Sequence, residues 1–315
     1  MNFRTIIHPK TYSFNIDYPS RILFLGSCFS DNISKKLIDG GFSVTANPFG
    51  VLYNPISIKN ALNILLKQKL FSENDLVENH GLYHSFSHHG SFSKTDPTET
   101  LKLINHSIIN NSNLLQTTNL AFITFGTAYV YQYLETQEII SNCHKIPAKK
   151  FKHFALTVDD IVQEYNSLLK KLITINPELQ IIFTVSPVRH WKDGAHENQL
   201  SKATLHLAIA QLQTQFDFVH YYPSYELIMD DLRDYRFYSE DMIHISPQAV
   251  DYIYNHFQKS FYSDETKDVE KQILKLKQAL NHRPFNPNTK EHIAFVKNTK
   301  KKIELLKEKY PEIIL

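Results

Sequence analysis

Five short apolar runs, separated by amphipathic stretches, constrain this chain more than any other feature. They are RILFLG (21–26), FSVTAN (42–47), LAFITFG (120–126), QIIFTVS (180–186) and FDFVHYY (216–222). A strand buried on both faces is apolar along its whole length, whereas a helix lying on it is apolar only every third or fourth residue. The intervening segments carry that second period. Phe29, Ile33 and Leu37 fall on one helical face that stops at Gly40-Gly41. Asn54-Pro55 caps a helix to about residue 70, Asp96-Pro97 one to about 112, and Thr157 one to about Ile175. A further amphipathic helix spans 197–214, and Ser246-Pro247 starts another. Strands alternating with helices imply an α/β fold, its sheet mostly parallel and covered on both faces.

Two segments break the pattern. Residues 71–95, rich in His, Ser and Phe, are expected to be irregular. YVYQYLETQEII (129–140) has two β-rich halves around a polar turn at Thr136-Gln137, which predicts a hairpin. Its return leg carries Asn142, Cys143, His144 and Lys145 back toward Thr127. From residue 262 the chain becomes rich in Lys and Glu. Helices over 264–281 and 289–309, flanking Arg283-Pro284-Phe285-Asn286-Pro287, form a helical hairpin. The expected organisation is therefore a catalytic domain over 1–261 and a helical extension over 262–315. The extension's apolar stripes must pack somewhere: against the core is the simpler reading, a homodimer contact the sharper one.

Composition excludes several classes. A net charge of +2 over 315 residues is too weak a field for nucleic-acid binding. No apolar run reaches the 18 residues of a membrane span, and the first twenty residues lack a signal-peptide apolar stretch, so an unexported, cytoplasmic protein is expected. The two cysteines, Cys28 and Cys143, have neither CxxC nor zinc spacing, which fits a reduced compartment. No cofactor is expected and no metal is assigned.

Ligands of open α/β sheets bind outside the carboxyl ends of the strands. Unusual polar residues fall at those ends: Ser27-Cys28 after the first strand, Asn47 and Gly50 after the second, Thr127 after the third, Arg189 and His190 after the fourth. Asp241 and His244 precede the last core helix. Cys28 in the first turn of a helix would have its thiolate favoured by the helix dipole. Ser27 is the other candidate nucleophile; it would need a base, and it can also serve as the cap. Asp241, three residues before His244, can hold one imidazole nitrogen while the other faces the nucleophile. Backbone N–H groups of Cys28 and Gly50, with the side chains of Asn47, Thr127 or Asn142, are candidate oxyanion donors. The plain alternative for Asn47-Pro48-Phe49-Gly50 is a turn.

The motifs GSCFS, NPFGVLYNP, GTAYVY, NCHKIPAK, SPVRHWKDGAHENQLSK and DDLRDYRFYSEDMIH, spread over roughly residues 20–260, closely resemble the GSCFA-domain family, a branch of the SGNH/GDSL hydrolases. The resemblance implies a three-layer α/β/α sandwich with a flavodoxin-like five-stranded sheet, and ester or acyl chemistry on a small-molecule or carbohydrate ester. Laid from Gly26, the superfamily's nucleophile position is Cys28 and its neighbouring acid position is Ser27. Gly50 matches the second conserved block, and Asp241 and His244 the last. The sequence departs at Ser30, where the family name has Ala, and at Ala128, where the oxyanion Asn should stand. A cysteine nucleophile gives a thioester, which suits transfer as well as hydrolysis. The altered third block keeps open a non-catalytic glycan- or metabolite-binding module on the same scaffold.

His84, His88 and His89 form a further cluster, read first as a substrate-lining loop, with metal-assisted hydrolysis as the minor alternative. Arg189, with His190, His196 and Asn198, suits a substrate carboxylate or phosphate. The plain alternative is an ion pair to Asp231 or Asp234. His144 is a reserve base.

Overall fold

The computed structural model describes residues 4–282 and 284–315. Arg283 of the connection between the last two helices, and the first three residues of the amino-terminal segment, lie outside the described residues. The core elements in chain order are β1 (Arg21–Gly26), α1 (Cys28–Asp39), β2 (Ser43–Ala46), α2 (Pro55–Lys67), β3 (Val77–Asn79), β4 (Leu82–His84), α3 (Pro97–Asn110), the single turn α4 (Leu114–Thr117) and β5 (Leu120–Phe125). There follow β6 (Tyr129–Tyr133), β7 (Ile139–Ile140), β8 (Phe151–Ala155), α5 (Val158–Ile175), β9 (Gln180–Val185), α6 (Ala195–Gln215), β10 (Val219–Tyr221), the short α7 (Ser224–Glu226) and α8 (Pro247–Phe261). Helices α9 (Asp264–Asn281) and α10 (Lys290–Lys309) close the chain.

The central sheet has the order β10-β9-β5-β1-β2, and every pairing in it is parallel. The first two strands lie on one side of β5 and the last two on the other, the flavodoxin-like arrangement. Its strands are apolar throughout because both faces are covered. Leu23, Leu25, Ile123, Phe125 and Phe183 point into one core, shared with α2, α5 and α6. Ile22, Phe24, Phe122 and Ile182, one residue out of phase, point into the other, shared with α1 and α8. The result is the expected three-layer sandwich. The carboxyl ends of β1 and β5, neighbours at its centre, deliver Ser27 and Thr127 to the same edge.

The helix caps are those the sequence specifies. Asn54 accepts from the Ser57 N–H, Asp96 from Thr98 and Glu99, and Ser246 from Ala249. Thr157 and Asp160 form a reciprocal capping box.

Two stretches differ from expectation. Residues 71–95 are not wholly irregular, since β3 and β4 form an antiparallel hairpin. Its turn residues, His80 and Gly81, both have positive φ (52° and 74°), which matches the twist of the strands it joins. The 129–140 hairpin forms, but β6 also pairs with β8, making a three-stranded sheet. The segment FKHFA carries no hairpin signal of its own, because its partner lies about twenty residues earlier and a third strand intervenes.

The last two helices dock on the core. Val269, Ile273, Leu306 and Ile313 join the same apolar cluster as α1 and Phe42. Glu270 is buried there and accepts hydrogen bonds from Tyr254, Gln258 and Tyr262. Gly40 leaves room for the Glu270 carboxylate against the end of α1. A Cβ at Gly40 would lie 2.4 Å from Glu270 Oε1.

Candidate active site

The turn after β1 is built on Gly26. Its φ is +128°, and a Cβ there would sit 2.1 Å from the carbonyl oxygen of Thr124, so only glycine fits. The Asn47 side chain braces the turn. Its Oδ1 accepts from the Gly26 N–H at 2.9 Å, and its Nδ2 donates to Asp31 at 2.6 Å. Asn47 is thereby committed to the turn rather than to an oxyanion.

Ser27 is 1% exposed and caps α1, its Oγ accepting from Phe29 N–H at 3.4 Å. Cys28 is the first residue of α1 and half-buried. The expectation that the helix terminus would favour its thiolate is overturned. Burial, and then the nearby Asp31 charge, push the Cys28 thiol upward, against the backbone N–H groups and Lys202, which pull it down. Desolvation outweighs the dipole, so the resting group is a thiol, and proton removal must be part of any chemistry at this sulfur.

His244 is carried by a closed loop. Ser239 N–H donates to His244 O at 2.7 Å, and Ser246 N–H donates to Phe237 O at 2.8 Å. At its tip Met242 takes φ +57°, and Asp241 Oδ1 accepts from both the Ile243 and His244 N–H groups at 2.9 Å. The other carboxylate oxygen lies 2.6 Å from His244 Nδ1. These bonds, the one to the imidazole first, hold the Asp241 carboxyl down at about 2. Asp241 therefore remains an anion held against Nδ1, and Nε2 has no hydrogen-bond partner among the described residues.

Cys28 and His244, more than two hundred residues apart in sequence, line one cavity of about 310 Å³. Ser27, Tyr53, Arg189 and His190 complete it, with Ser186 and Val188 at its base. No direct hydrogen bond joins Cys28 to His244 among the described residues. The predicted ion-pair partners of Arg189 are taken elsewhere. Asp231 pairs with Arg4 at 2.6 Å, and Asp234 with Arg236 at 2.8 Å. Among the described residues Arg189 pairs with no carboxylate, and its guanidinium lies 5.4 Å from the Trp191 ring centroid. His190 is lowered to about 4, mainly by burial and then by the charge of Lys202. The buried Asn198 side chain accepts from the His190 N–H at 3.0 Å and so fixes its loop.

Lys202 is the site residue that sequence reasoning missed. It is 2% exposed, and its Nζ donates to the carbonyls of Gly126, Ser186 and Val188 at 2.5, 2.7 and 2.9 Å. A lysinium has three N–H donors, and all three are used. The side chain ties the ends of β5 and β9 together beneath the cavity. Burial pulls its pKa down to about 7, opposed by the proximity of Cys28. The sequence signal was its place as the last residue of the motif SPVRHWKDGAHENQLSK, on a helix where a lysine reads as solvated.

The remaining predicted residues sort into two groups. Thr127 and Asn142 line an adjoining cavity that shares Tyr53 and His190 with the first. Thr127 Oγ1 is bonded to Ser201 at 3.1 Å, and Ser201 also accepts from the Ala128 N–H at 2.7 Å. Gly50, His84, His88 and His144 lie outside the Cys28 cavity. The Gly50 N–H, proposed as an oxyanion donor, instead closes a turn onto Asn47 O at 2.7 Å. His84 and His144 stack at 4.4 Å, and His144 Nε2 is bonded to Ser85 O at 2.8 Å, which removes His144 as a reserve base. His88 is 1% exposed, stacked on Phe49 and bonded to Ser85, so these histidines are packing elements rather than a substrate-lining or metal-binding loop. Among the described residues no group of three or more His, Cys, Asp or Glu is disposed to hold a metal. None of the described helices is long and apolar enough to cross a membrane.

The GSCFA family model matches residues 21–257, three quarters of the chain. The chain belongs to the GSCFA family. A second model, the C-terminal domain of GSCFA domain proteins, matches residues 273–315. Among solved structures this GSCFA protein is similar to a GDSL-like lipase from Parabacteroides merdae, with 12% identity, 83% of this chain and 100% of that chain covered, and a TM-score of 0.41. It is also similar to a GDSL-like lipase from Bacteroides thetaiotaomicron, with 10% identity, 82% and 92% covered, and a TM-score of 0.37. No curated protein sequence matches it. The position at which this GSCFA chain carries Ser30 rather than Ala is buried, and its hydroxyl is bonded to Leu25 O and Thr124 Oγ1, which accommodates the departure.

Proposed function

We propose that this protein is a thiol-dependent ester hydrolase or acyltransferase, with Cys28 as nucleophile and the Asp241–His244 pair as base. The observation that supports the reading best is the shared cavity. A helix-leading cysteine and an exposed imidazole, its far nitrogen pinned by a carboxylate, open onto the same small space. Because burial keeps Cys28 protonated at rest, the reaction resembles that of a serine hydrolase more than that of a preformed thiolate.

In the proposed cycle His244 Nε2 takes the thiol proton as Sγ attacks the ester carbonyl carbon. The tetrahedral oxyanion is met by the Cys28 N–H at the helix terminus. The carbon–oxygen bond of the leaving alcohol then breaks, and the alcohol takes the proton from His244. A thioester remains on Cys28. Water, or a second alcohol, attacks that thioester with His244 again as base, and the thiol is restored. The nature of this second nucleophile separates hydrolysis from transfer. Ala128 offers no side-chain donor, so the oxyanion depends on the helix terminus more than it does in an enzyme with asparagine there. Arg189 is free to meet an anionic group on the substrate.

The test is turnover of p-nitrophenyl acetate by the full chain and by Cys28→Ala and Ser27→Ala. Loss of turnover in Cys28→Ala, with Ser27→Ala reduced only as far as helix capping requires, is expected. Loss confined to Ser27→Ala moves the nucleophile by one residue and overturns the assignment.

A further inference from the structure

The Cys28 cavity is one end of a longer cleft. Across Tyr53 and His190 it meets a second cavity of about 340 Å³. That cavity shares Tyr53, Tyr131 and Cys143 with a third, of about 400 Å³. Aromatic rings line the second cavity. Tyr129 and Tyr131 alternate along β6 onto one face, and His153 of β8 stacks on them with ring centroids 5.0 and 4.3 Å away. Trp191 stands at its edge, 48% exposed.

Polar groups of a particular kind face the same space. The Asp193 side chain is 9% exposed, and His153 Nε2 lies 3.5 Å from its carboxylate. Asn142 uses its Oδ1 to accept from the His144 N–H at 2.9 Å, and its amide nitrogen has no acceptor among the described residues. Lys192 Nζ donates to the Tyr131 hydroxyl at 2.8 Å.

We propose that this aromatic-lined cavity is a glycosyl subsite, so that the ester presented to Cys28 is carried on a carbohydrate. A pyranose has a C–H face that lies against aromatic rings, and a rim of hydroxyls that donate to a carboxylate and accept from an amide. The cavity supplies both in its lining: the rings, and Asp193 and Asn142. A fatty acyl chain would cover the Asp193 carboxylate and the Asn142 amide without bonding to either, at the cost of burying unpaired polar groups. The extent of the cleft beyond Tyr53 exceeds what an acetyl group alone needs. The identity of the ester's alcohol part rests on the acyl chemistry proposed at Cys28; the sugar site does not.

Trp191 is the single tryptophan of the chain, so its emission reports on this cavity without a label. The experiment titrates the full-length Cys28→Ala protein with xylotetraose, mannotetraose and chitotetraose in turn, and with decanoate as the acyl-chain competitor. A saturable change in Trp191 emission with at least one tetrasaccharide is expected, weakened at least tenfold by both Asp193→Asn and Asp193→Ala. Thermal melting of each variant checks that it is folded. Saturation by decanoate alone, no response to any tetrasaccharide, or unchanged affinity in folded Asp193 variants would overturn the proposal. Since no turnover is involved, a negative result here leaves the Cys28 chemistry standing, and failure of Cys28 acylation leaves this result readable.

Discussion

Replacing Lys202 with methionine keeps most of the side-chain volume and removes the ammonium from beneath the cavity. The carbonyls of Gly126, Ser186 and Val188 lose their common donor. Each orphaned acceptor costs about 1–3 kcal/mol. Relief from burying a charge returns several kcal/mol. We expect a net loss of about 3 kcal/mol near pH 6, which urea unfolding resolves. The pH dependence is more diagnostic than the magnitude. Burial lowers Lys202 to about 7 from 10.5, so over that interval the unfolded chain holds a proton that the folded chain has released. Stability must therefore rise with pH between about 7 and 10.5, by up to about 1.4 kcal/mol per pH unit from this one group. The parent-minus-variant difference in unfolding free energy isolates it from the other titrating groups, and that difference should widen from pH 7 to pH 10. A variant as stable as the parent, with the same pH slope, would refute a buried ammonium beneath the cavity.

Other perturbations follow from the same geometry. Asp241→Asn keeps an acceptor for the Ile243 and His244 N–H groups but loses the anion at Nδ1; esterase kcat should fall by roughly a hundredfold or more, with the melting temperature little changed. Unchanged kcat would show that the carboxylate does not orient the base. Gly26→Ala drives a methyl onto the Thr124 carbonyl at positive φ, and should cost at least about 3 kcal/mol in denaturant unfolding; a near-neutral effect would contradict the tight turn. His88, His144 and His190 are held neutral by burial, at about 3, 4 and 4, so between those values and 6.5 the unfolded chain binds more protons. Stability should fall as pH drops from about 6.5 to 4, and His88→Phe, which keeps the stack on Phe49, should make the fall shallower. An identical slope would place His88 in water.

The fold was legible because each buried strand announces itself locally. RILFLG and LAFITFG are apolar on both faces for a reason that the two out-of-phase cores display. The caps at Asn54, Asp96, Thr157 and Ser246 are likewise local devices. The site was half legible. Asp241 and His244 belong to one turn, and their hydrogen bonds are fixed by three residues of spacing. Cys28 was located correctly at the helix start, but its ionisation was not, because burial is a property of the assembled cavity and the dipole alone was visible. Arg189 shows the same limit. Its expected ion-pair partners, Asp231 and Asp234, are claimed by Arg4 and Arg236 through tertiary and local contacts that no spacing reveals. Lys202 ends the motif SPVRHWKDGAHENQLSK, but its burial could not be read there: a lysine on an amphipathic helix reads as solvated, and the carbonyls that satisfy it come from the ends of two strands. His84 and His88 misled for the converse reason: polar rings that look available in sequence are stacked and bonded inside the fold.

The central claim is that an acyl group passes through a covalent bond to Cys28. Intact-mass and peptide analysis of the protein rapidly quenched in acid during turnover of p-nitrophenyl acetate tests it most directly. The account predicts one acetyl group on Cys28, released by hydroxylamine and absent from Cys28→Ala, which also fails to turn over the ester. An acetyl group on Ser27, or a Cys28→Ala protein that cleaves the ester as fast as the parent, would contradict it.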